Sequence, residues 1–369
     1  ERGLTRVEQP LTGWGIGFER DRDGHERARH LPGEVLSWWQ SDRDGRPLEH
    51  GLIAARPPQI HRQRRYTWGP DRRLRTIDES TRRRHAALEP LPPPQNIEHD
   101  SAGRRVRTEL SDGTVWTYHH NPAGELARAT TTTHDTAAKL ARAATTIDYR
   151  HDALGRRIAR THNGAETRWI WHGDVPLHEL GPGEPITWVF EPGRFAPIAR
   201  LAATRHSVIT DHLGVPLALL DERGQMAWCA EFDASGQPRP TRGDPTLCPF
   251  RSPGQRADPD TGLAYNRFRD HDPSTRSYLT PDPLGLLGGL DLHTSVSDPR
   301  TETDIFGLSL DNPPELHPHA RIAAELAHDF PISDLPPAIA QVLRRPLAGP
   351  DRQTSILTAL STSPRPTCG

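Results

Sequence analysis

The sequence predicts a mainly β protein in which antiparallel hairpins form a curved or spiral sheet, and three observations lead to this prediction. An aromatic or bulky residue, followed three positions later by Asp or Asn and six positions later by Gly, recurs along the first half of the chain. Turn-like segments follow one another every ten to twelve residues in 207–238. The composition, with 34% hydrophobic residues, 37 Pro and 30 Gly, suits a single sheet with one face in water.

Each copy of the recurring pattern predicts one hairpin. The copies begin at Phe18, Trp39, Ile97, Tyr118 and Tyr149, with a degenerate copy from Tyr66 to Leu74. We expect the aromatic residue on one strand, Asp-x-x-Gly at the reversal, and the next aliphatic residue on the returning strand. Because a lone hairpin is only marginally stable in water, the hairpins are expected to stack side by side.

The middle of the chain continues the pattern. Asn163-Gly164 is typical of a two-residue hairpin turn, and apolar or alternating runs separate the turns of 207–238. No continuous helix of ten or more residues is expected before residue 315. A set of repeats too small to close on itself should leave an open sheet edge.

A run of short motifs follows the hairpin region. They are PFRSPGQ at 249–255, TGLAYNRFR at 261–269, Asp272-Pro273, YLTPDPLG at 278–285 and DIFGL at 304–308. In this order and at this spacing they resemble the core element of the Rhs (rearrangement hot spot) family, and the upstream hairpins resemble its YD repeats. The resemblance implies part of a β-cage shell. It divides the chain into a YD-repeat region at 1–249, a core at 250–308 and a small, helical, variable tail at 309–369.

The resemblance also implies a self-cleavage site. Asp282 and Asp304 would form an aspartyl pair that cuts the chain between Leu308 and Ser309. In such a pair two carboxylates share one proton, because two like charges a few ångströms apart cannot both ionise. Supporting roles fall to Gly285, Gly307, Arg267 and Arg269.

The pair can form only if the chain folds back between the two aspartates. The glycine-rich, apolar segment 286–290 is expected to make a tight, buried return. Ile305 stands where the family usually has proline, and 297–303 is more charged than usual, so the site could be looser than in the family. The other interpretation is that each Asp-x-x-Gly is only a type I turn.

By resemblance, the chain is the C-terminal part of a polymorphic toxin used in interbacterial competition. Its shell would enclose the tail as cargo, and its partners would include an immunity protein and secretion-system components. The alternative is a non-catalytic repeat protein that recognises carbohydrate or partner proteins at the cell surface. A third hypothesis makes the tail a catalytic toxin acting on nucleic acid. The expected location is secreted or cell-surface, and a chain that begins at Glu1 without Met is expected to lack its targeting region.

Other function classes find little support. The net charge of -2 marks no nucleic-acid footprint, and the three Cys have neither zinc-site nor disulfide-framework spacing. No stretch has the length of a transmembrane helix, and we expect no cofactor or metal. The Asp21-Arg22-Asp23-Gly24 segment resembles a calcium loop but lacks further ligands, so it predicts a turn. His317, His319 and His328 form no complete metal pattern.

Overall fold

The computed structural model describes residues 5–9, 12–55, 58–80, 94–135, 140–232, 238–296 and 298–308. In this part of the chain every regular element is an antiparallel strand, apart from two short 3-10 turns at Pro245–Leu247 and Gly285–Gly288. The mainly β prediction is therefore confirmed. The expected helical tail at 309–369 lies outside the described residues.

The first sheet has seven strands, hydrogen-bonded in chain order. They are β1 (Arg6–Gln9), β2 (Trp14–Arg20), β3 (Glu26–Leu31), β4 (Val35–Ser41), β5 (Pro47–Ala55), β6 (Pro58–Trp68) and β7 (Leu74–Ser80).

The second sheet has fourteen strands, again paired in chain order. They are β8 (Pro94–His99), β9 (Arg105–Leu110), β10 (Thr114–His120), β11 (Leu126–Asp135), β12 (Leu140–His151), β13 (Arg157–His162), β14 (Ala165–His172), β15 (Val175–Leu180), β16 (Ile186–Phe190), β17 (Pro197–Leu201), β18 (Arg205–Thr210), β19 (Pro216–Leu220), β20 (Met226–Phe232) and β21 (Pro238–Arg242). Since β8 and β21 each pair on one side only among the described strands, this sheet is open, as expected.

A third, small sheet lies in the core region. Its strands are β22 (Arg256–Ala257), β23 (Ala264–Asn266), β24 (Arg269–Asp272) and β25 (Ser277–Tyr278).

The Asp-x-x-Gly turns share one hydrogen-bonding scheme, seen clearly at Asp42. Its Oδ1 accepts the backbone N–H groups of Asp44 and Arg46, both at 2.9 Å, and its carbonyl accepts from Gly45 at 3.1 Å. Gly45 has φ +79°, a left-handed conformation that favours glycine. The strand register shifts beside the turn, between Gln40 and Ser41. The sequence pattern therefore encodes a type I turn followed by a glycine bulge.

The arginine that follows the glycine completes the turn. Arg46 Nε donates to Asp42 Oδ2 at 2.8 Å, and Arg104–Asp100 and Arg156–Asp152 form the same pair at the same distance. In the copy at Asn121 the donor and acceptor change places: the turn residue Asn121 donates to the side chain of Glu125, which follows the glycine, at 2.7 Å.

Two less regular turns also fold as predicted. In the degenerate copy Gly69 begins the turn and Arg72, with φ +62°, occupies the position that glycine has elsewhere. Asn163 and Gly164 have φ values of +50° and +80°, as a type I′ hairpin turn requires.

The two large sheets pack face to face, which differs from the expected single layer. Apolar residues of the first sheet, among them Ile16 and Leu52, form one core with residues of β16 to β20, among them Ile198 and Ile209. A second core covers the other face of the same strands and contains Trp188, Trp228 and Phe250. Strands β18 and β19 are thus buried on both faces, which explains the continuous apolar sequence of β19.

Candidate functional site

The core region packs on the repeats that precede it. Leu263 and Leu279 lie in one apolar cluster with residues of β10, β11 and β12, including Trp116, Leu126 and Ile147. The aromatic residues of the repeats Tyr118 and Tyr149 belong to the same cluster, and both are buried. These two repeat aromatics therefore face the core region.

Buried ion pairs add directional contacts to this packing. Arg157 binds both carboxylate oxygens of Asp270, at 2.9 and 3.0 Å, and lies between the rings of Tyr149 and Tyr265. Burial raises the pKa of Asp270 in spite of this guanidinium. Arg105 binds Asp272 at 2.5 Å, and there the pKa of the carboxyl is lowered, because the Arg105 charge and hydrogen bonds outweigh burial. In each Gly-Arg-Arg copy, the first arginine closes the turn and the second anchors the core region.

The two aspartates of the predicted pair lie together. Asp282 and Asp304 are each 6% exposed, and their Oδ2 atoms contact the same nitrogen, Nη2 of Arg269, at 2.9 and 3.4 Å. The two oxygens can therefore be no farther apart than the sum of these distances. Arg269 itself is fully buried on β24. One guanidinium between two carboxylates offsets part of the repulsion that a buried pair would suffer.

The other carboxylate oxygens hold local turns. Asp282 Oδ1 accepts the backbone N–H of Leu284, and Asp304 Oδ1 accepts that of Leu308, both at 2.8 Å. Each aspartate is thus a turn residue through Oδ1 and also faces Arg269 through Oδ2. The turn interpretation therefore describes the Oδ1 atoms, and the paired-aspartate interpretation describes the Oδ2 atoms of the same two side chains.

Arg269 also fixes the backbone near both aspartates. Its Nε donates to the carbonyl of Gly307, its Nη1 donates to the carbonyl of Leu292 at 3.1 Å, and its guanidinium lies 3.7 Å from the centre of the Tyr278 ring. This places the backbone just before Leu308 against the same cation. Ser309, on the far side of the predicted cleavage point, lies outside the described residues.

Tyr278 and Asn266 complete the buried network. Neither residue was predicted to belong to the site. The Tyr278 hydroxyl donates to Asp304 Oδ2 at 2.8 Å. Asn266 Nδ2 donates to the Tyr278 hydroxyl and to the carbonyl of Asp304, both at 2.7 Å. Burial, and next the Asp304 charge, raise the pKa of Tyr278 well above its ordinary value. Both residues lie in the matched motifs, but nothing in the local sequence shows that they meet.

Arg267, the other arginine predicted to support the motif, faces the repeats. It has φ +56° in the turn between β23 and β24, and its Nη2 donates to the Leu154 carbonyl at 2.7 Å. It also contacts Asp174 at 3.4 Å. Among its described contacts none reaches the aspartate pair, so its support for the site is indirect.

The return between the aspartates was expected to be buried, and this expectation was wrong. Leu286 is 73% exposed and Leu290 is 95% exposed. The loop is closed by its backbone, because Asp282 N–H donates to the Leu292 carbonyl and Tyr278 N–H to the His293 carbonyl, both at 2.8 Å. Since these hydrogen bonds close the loop, its apolar side chains need not pack inward.

The two aspartates are anchored to distant parts of the second sheet. On the Asp282 side, the Leu279 carbonyl accepts the backbone N–H of Arg105, at the start of β9, at 2.7 Å. On the Asp304 side, the Phe306 ring packs edge-on against Phe195, between β16 and β17, with centroids 5.5 Å apart. The pair therefore depends on repeats near one end of this sheet, at β9, and on others well inside it, at β16 and β17.

A second link holds the Asp304 side. The ring of His212, in the turn between β18 and β19, donates from Nε2 to the Arg300 carbonyl at 2.9 Å. The segment before Asp304 is thus tied to a repeat turn 88 residues upstream in the chain.

The two motif glycines should respond differently to alanine. Both have left-handed φ, +58° at Gly285 and +66° at Gly307, but a Cβ at Gly285 would meet no atom within 4 Å. At Gly307 it would lie 2.6 Å from the Asn266 carbonyl oxygen. We expect Gly285→Ala to lower the free energy of unfolding by about 1 kcal/mol and Gly307→Ala by about 3 kcal/mol or more. Urea unfolding measures both, and equal losses would contradict the close packing at Gly307.

Other potential sites are sparse. Within the described ranges, one group of three residues has donor atoms close enough for a metal: Asp21, Asp23 and His25. It is largely exposed, and Asp21 Oδ1 already accepts the N–H groups of Asp23 and His25, as the turn prediction requires. The described residues contain no helix long and apolar enough to cross a membrane. The histidines at 317, 319 and 328 lie outside the described residues.

Comparison with known proteins gives relatives by sequence but no matching family model. The double-stranded DNA deaminase toxin A of Burkholderia cenocepacia is 33% identical over 194 residues, which cover 44% of this chain and 14% of the relative. Toxin protein Tse5 of Pseudomonas aeruginosa is 37% identical over 179 residues, 38% of this chain and 14% of the relative. The probable deoxyribonuclease RhsB of Dickeya dadantii is 28% identical over 231 residues, 58% of this chain and 15% of the relative. The matches thus span about a seventh of each relative's length.

Solved structures give the same fold. The Tc holotoxin pore of Photorhabdus luminescens matches 83% of this chain and 20% of the solved chain with a TM-score of 0.60 and 14% identity. A crystal structure of TcdB2-TccC3 without its hypervariable C-terminal region matches 81% of this chain and 19% of the solved chain, with a TM-score of 0.57 and 15% identity. At these identities the likeness concerns the fold.

Proposed function

Since the chain belongs to the Rhs family of YD-repeat proteins, we propose that it is the shell and cleavage region of a polymorphic toxin and that it cuts itself after Leu308. The proposal rests on one observation above others. Asp282 and Asp304, separated by a long loop, are buried against the same guanidinium, and Asp304 holds the backbone N–H of Leu308. A pair of turn residues would need no such convergence.

The cleavage is a hydrolysis of the Leu308–Ser309 peptide bond. One carboxylate takes a proton from water as the water oxygen attacks the Leu308 carbonyl carbon, while the protonated partner donates to the carbonyl oxygen. Collapse of the tetrahedral intermediate breaks the C–N bond and transfers a proton to the leaving nitrogen. The products are a carboxyl group on Leu308 and an amine on Ser309.

This chain's own residues supply positioning. The N–H of Leu308 is held by Asp304 Oδ1 and the carbonyl of Gly307 by Arg269, so the peptide group just before the scissile bond is fixed through both of its polar atoms. Holding the bond against the pair makes the reaction intramolecular, which contributes much of the rate in such reactions.

The wider toxin role draws on the relatives. By name they are a DNA deaminase toxin, a probable deoxyribonuclease and, in a Bacillus spizizenii relative 26% identical over 141 residues, a tRNA-specific nuclease. Because these activities differ while each relative matches a part of this chain, the shared part is better suited to housing an effector than to its chemistry. We propose that residues 309–369 are the cargo or its beginning, that any nucleic-acid target belongs to the cargo, and that the protein acts outside the cell that makes it.

Mass spectrometry of the full chain tests the cleavage. We expect two products, the smaller beginning at Ser309, and a rate that does not change on tenfold dilution because the reaction is intramolecular. An intact chain, or a new N-terminus at another residue, would favour the non-catalytic binding protein instead.

A further inference from the structure

Tyr278 carries a hydroxyl that the proposed cleavage does not yet use. It is fully buried on β25, and its oxygen lies 2.8 Å from Asp304 Oδ2. Asp282 has the closer contact with Arg269, 2.9 Å against 3.4 Å for Asp304. The two carboxylates therefore have different principal donors: the guanidinium for Asp282 and the phenol for Asp304.

The neighbouring donors determine where the phenol proton points. Asn266 Nδ2 donates to the Tyr278 oxygen at 2.7 Å, and the Ser295 side chain is also hydrogen-bonded to it. The same Asn266 nitrogen donates to the Asp304 carbonyl, so a flipped amide would bring two oxygens together. With the Tyr278 oxygen accepting from Asn266, its own proton is directed to Asp304 Oδ2.

We propose that Tyr278, oriented by Asn266, is a positioning residue that holds the Asp304 carboxylate in place for the reaction. This inference rests on the proposed self-cleavage. The proposed role belongs to the Tyr278 hydroxyl and not to its ring, so a phenylalanine at this position would not perform it. Hydrogen bonds to charged groups are among the stronger ones, and a buried carboxylate that loses a donor is poorly compensated.

Tyr278→Phe tests the proposal because it removes the hydroxyl and retains the ring, which packs on Arg269 and on His271, 5.3 Å away between centroids. Tyr149→Phe is the matched control. The Tyr149 hydroxyl is also buried and donates to an aspartate, Asp258, at 2.8 Å, but it lies between the repeats and the core region. Both variants lose one buried hydrogen bond to a carboxylate, and only one loses it at the aspartate pair.

The rate of cleavage is followed by pulse labelling during cell-free synthesis of the full chain, across a pH series. We expect Tyr278→Phe to cut roughly tenfold more slowly or worse, and Tyr149→Phe to cut at a rate close to that of the parent. The titratable and charged groups around Tyr278 are Asp304, which accepts from its hydroxyl, and Arg269 and His271, which pack on its ring. The control retains them all, so any difference in pH profile belongs to the lost hydroxyl.

The pH profile separates positioning from a general loss of stability. Because the Tyr278 hydroxyl donates to one carboxylate of the pair, a positioning role predicts that the pH profile of cleavage changes in Tyr278→Phe and not in Tyr149→Phe. Thermal unfolding of both variants verifies that they fold alike. An unchanged rate and pH profile in Tyr278→Phe, with cleavage abolished by Asp304→Asn, overturns this inference alone. Cleavage that persists after Asp304→Asn overturns the proposed function and this inference together.

Discussion

Replacing either Asp282 or Asp304 with Asn should abolish the release of a fragment beginning at Ser309. Asparagine keeps the Oδ1 acceptor that holds the N–H of Leu284 or Leu308, so the local turn survives. Asparagine cannot ionise. Its amide NH₂ group stands where aspartate has Oδ2, and this group can neither accept nor release the proton that the reaction requires. We expect a loss of rate on the order of a thousandfold or more, measured by the appearance of the smaller product over time.

Asp291→Asn is the matched control for these variants. Asp291 lies in the loop between the two aspartates and holds a turn in the same way, accepting the His293 N–H at 3.0 Å, but it is exposed. Its replacement should leave the rate within about twofold of the parent, since exposed changes of this kind have small effects. Equal cleavage in all three Asn variants would show that the buried aspartates act only as turn residues.

The largest effect on stability should come from Arg157. Its replacement by Met leaves Asp270 buried without its guanidinium and removes the cation from between Tyr149 and Tyr265. Breaking a buried ion pair by removing one partner costs about 3–5 kcal/mol, and we expect a loss in this range in urea unfolding near pH 7. Arg156→Met is the natural control: Arg156 and its partner Asp152 form a partly exposed turn, so the loss should be about 1 kcal/mol or less.

The pH dependence of the Arg157 variant gives an independent measurement. Burial already raises the pKa of Asp270 in the folded protein, and loss of the guanidinium removes what opposes that shift. A carboxyl whose folded pKa lies above its unfolded value gives stability that is present at low pH and lost as the pH rises through the folded pKa. The difference in the free energy of unfolding between the parent and Arg157→Met should therefore become smaller as the pH is lowered from 7 towards 4. A deficit that stays constant would indicate that ring packing, not charge, accounts for the loss.

The fold could be predicted from the sequence because its signals are local. An Asp, a glycine three residues later and an arginine after it specify a complete turn within five residues, as at Asp42 to Arg46. The expected pairing of Asp282 with Asp304 needed one further step, a long loop whose ends meet. The structure brings these residues together, while the proton chemistry assigned to them stays a prediction.

What could not be predicted depends on contacts between distant residues. Arg157 and Asp270 are 113 positions apart, and no local pattern distinguishes this arginine from Arg156 beside it. The packing of the first sheet on β16 to β20 likewise brings together residues far apart in the sequence, such as Ile16 and Ile209, and the single-layer expectation failed for that reason. The role of Tyr278 emerges only when β25 and the segment at Asp304 are seen together.

The separate anchoring of the two aspartates has a consequence for timing. The Asp282 side is anchored at β9, and the Asp304 side is anchored at the turns that follow β16 and β18. A folding chain therefore lacks a complete aspartate pair until the consecutive strands from β9 to β19 have paired in register. If the pair cuts as proposed, the cut records that the sheet is finished. An uncut tail then marks a molecule whose sheet is incomplete, and a cut tail marks one in which the sheet formed before the tail was released.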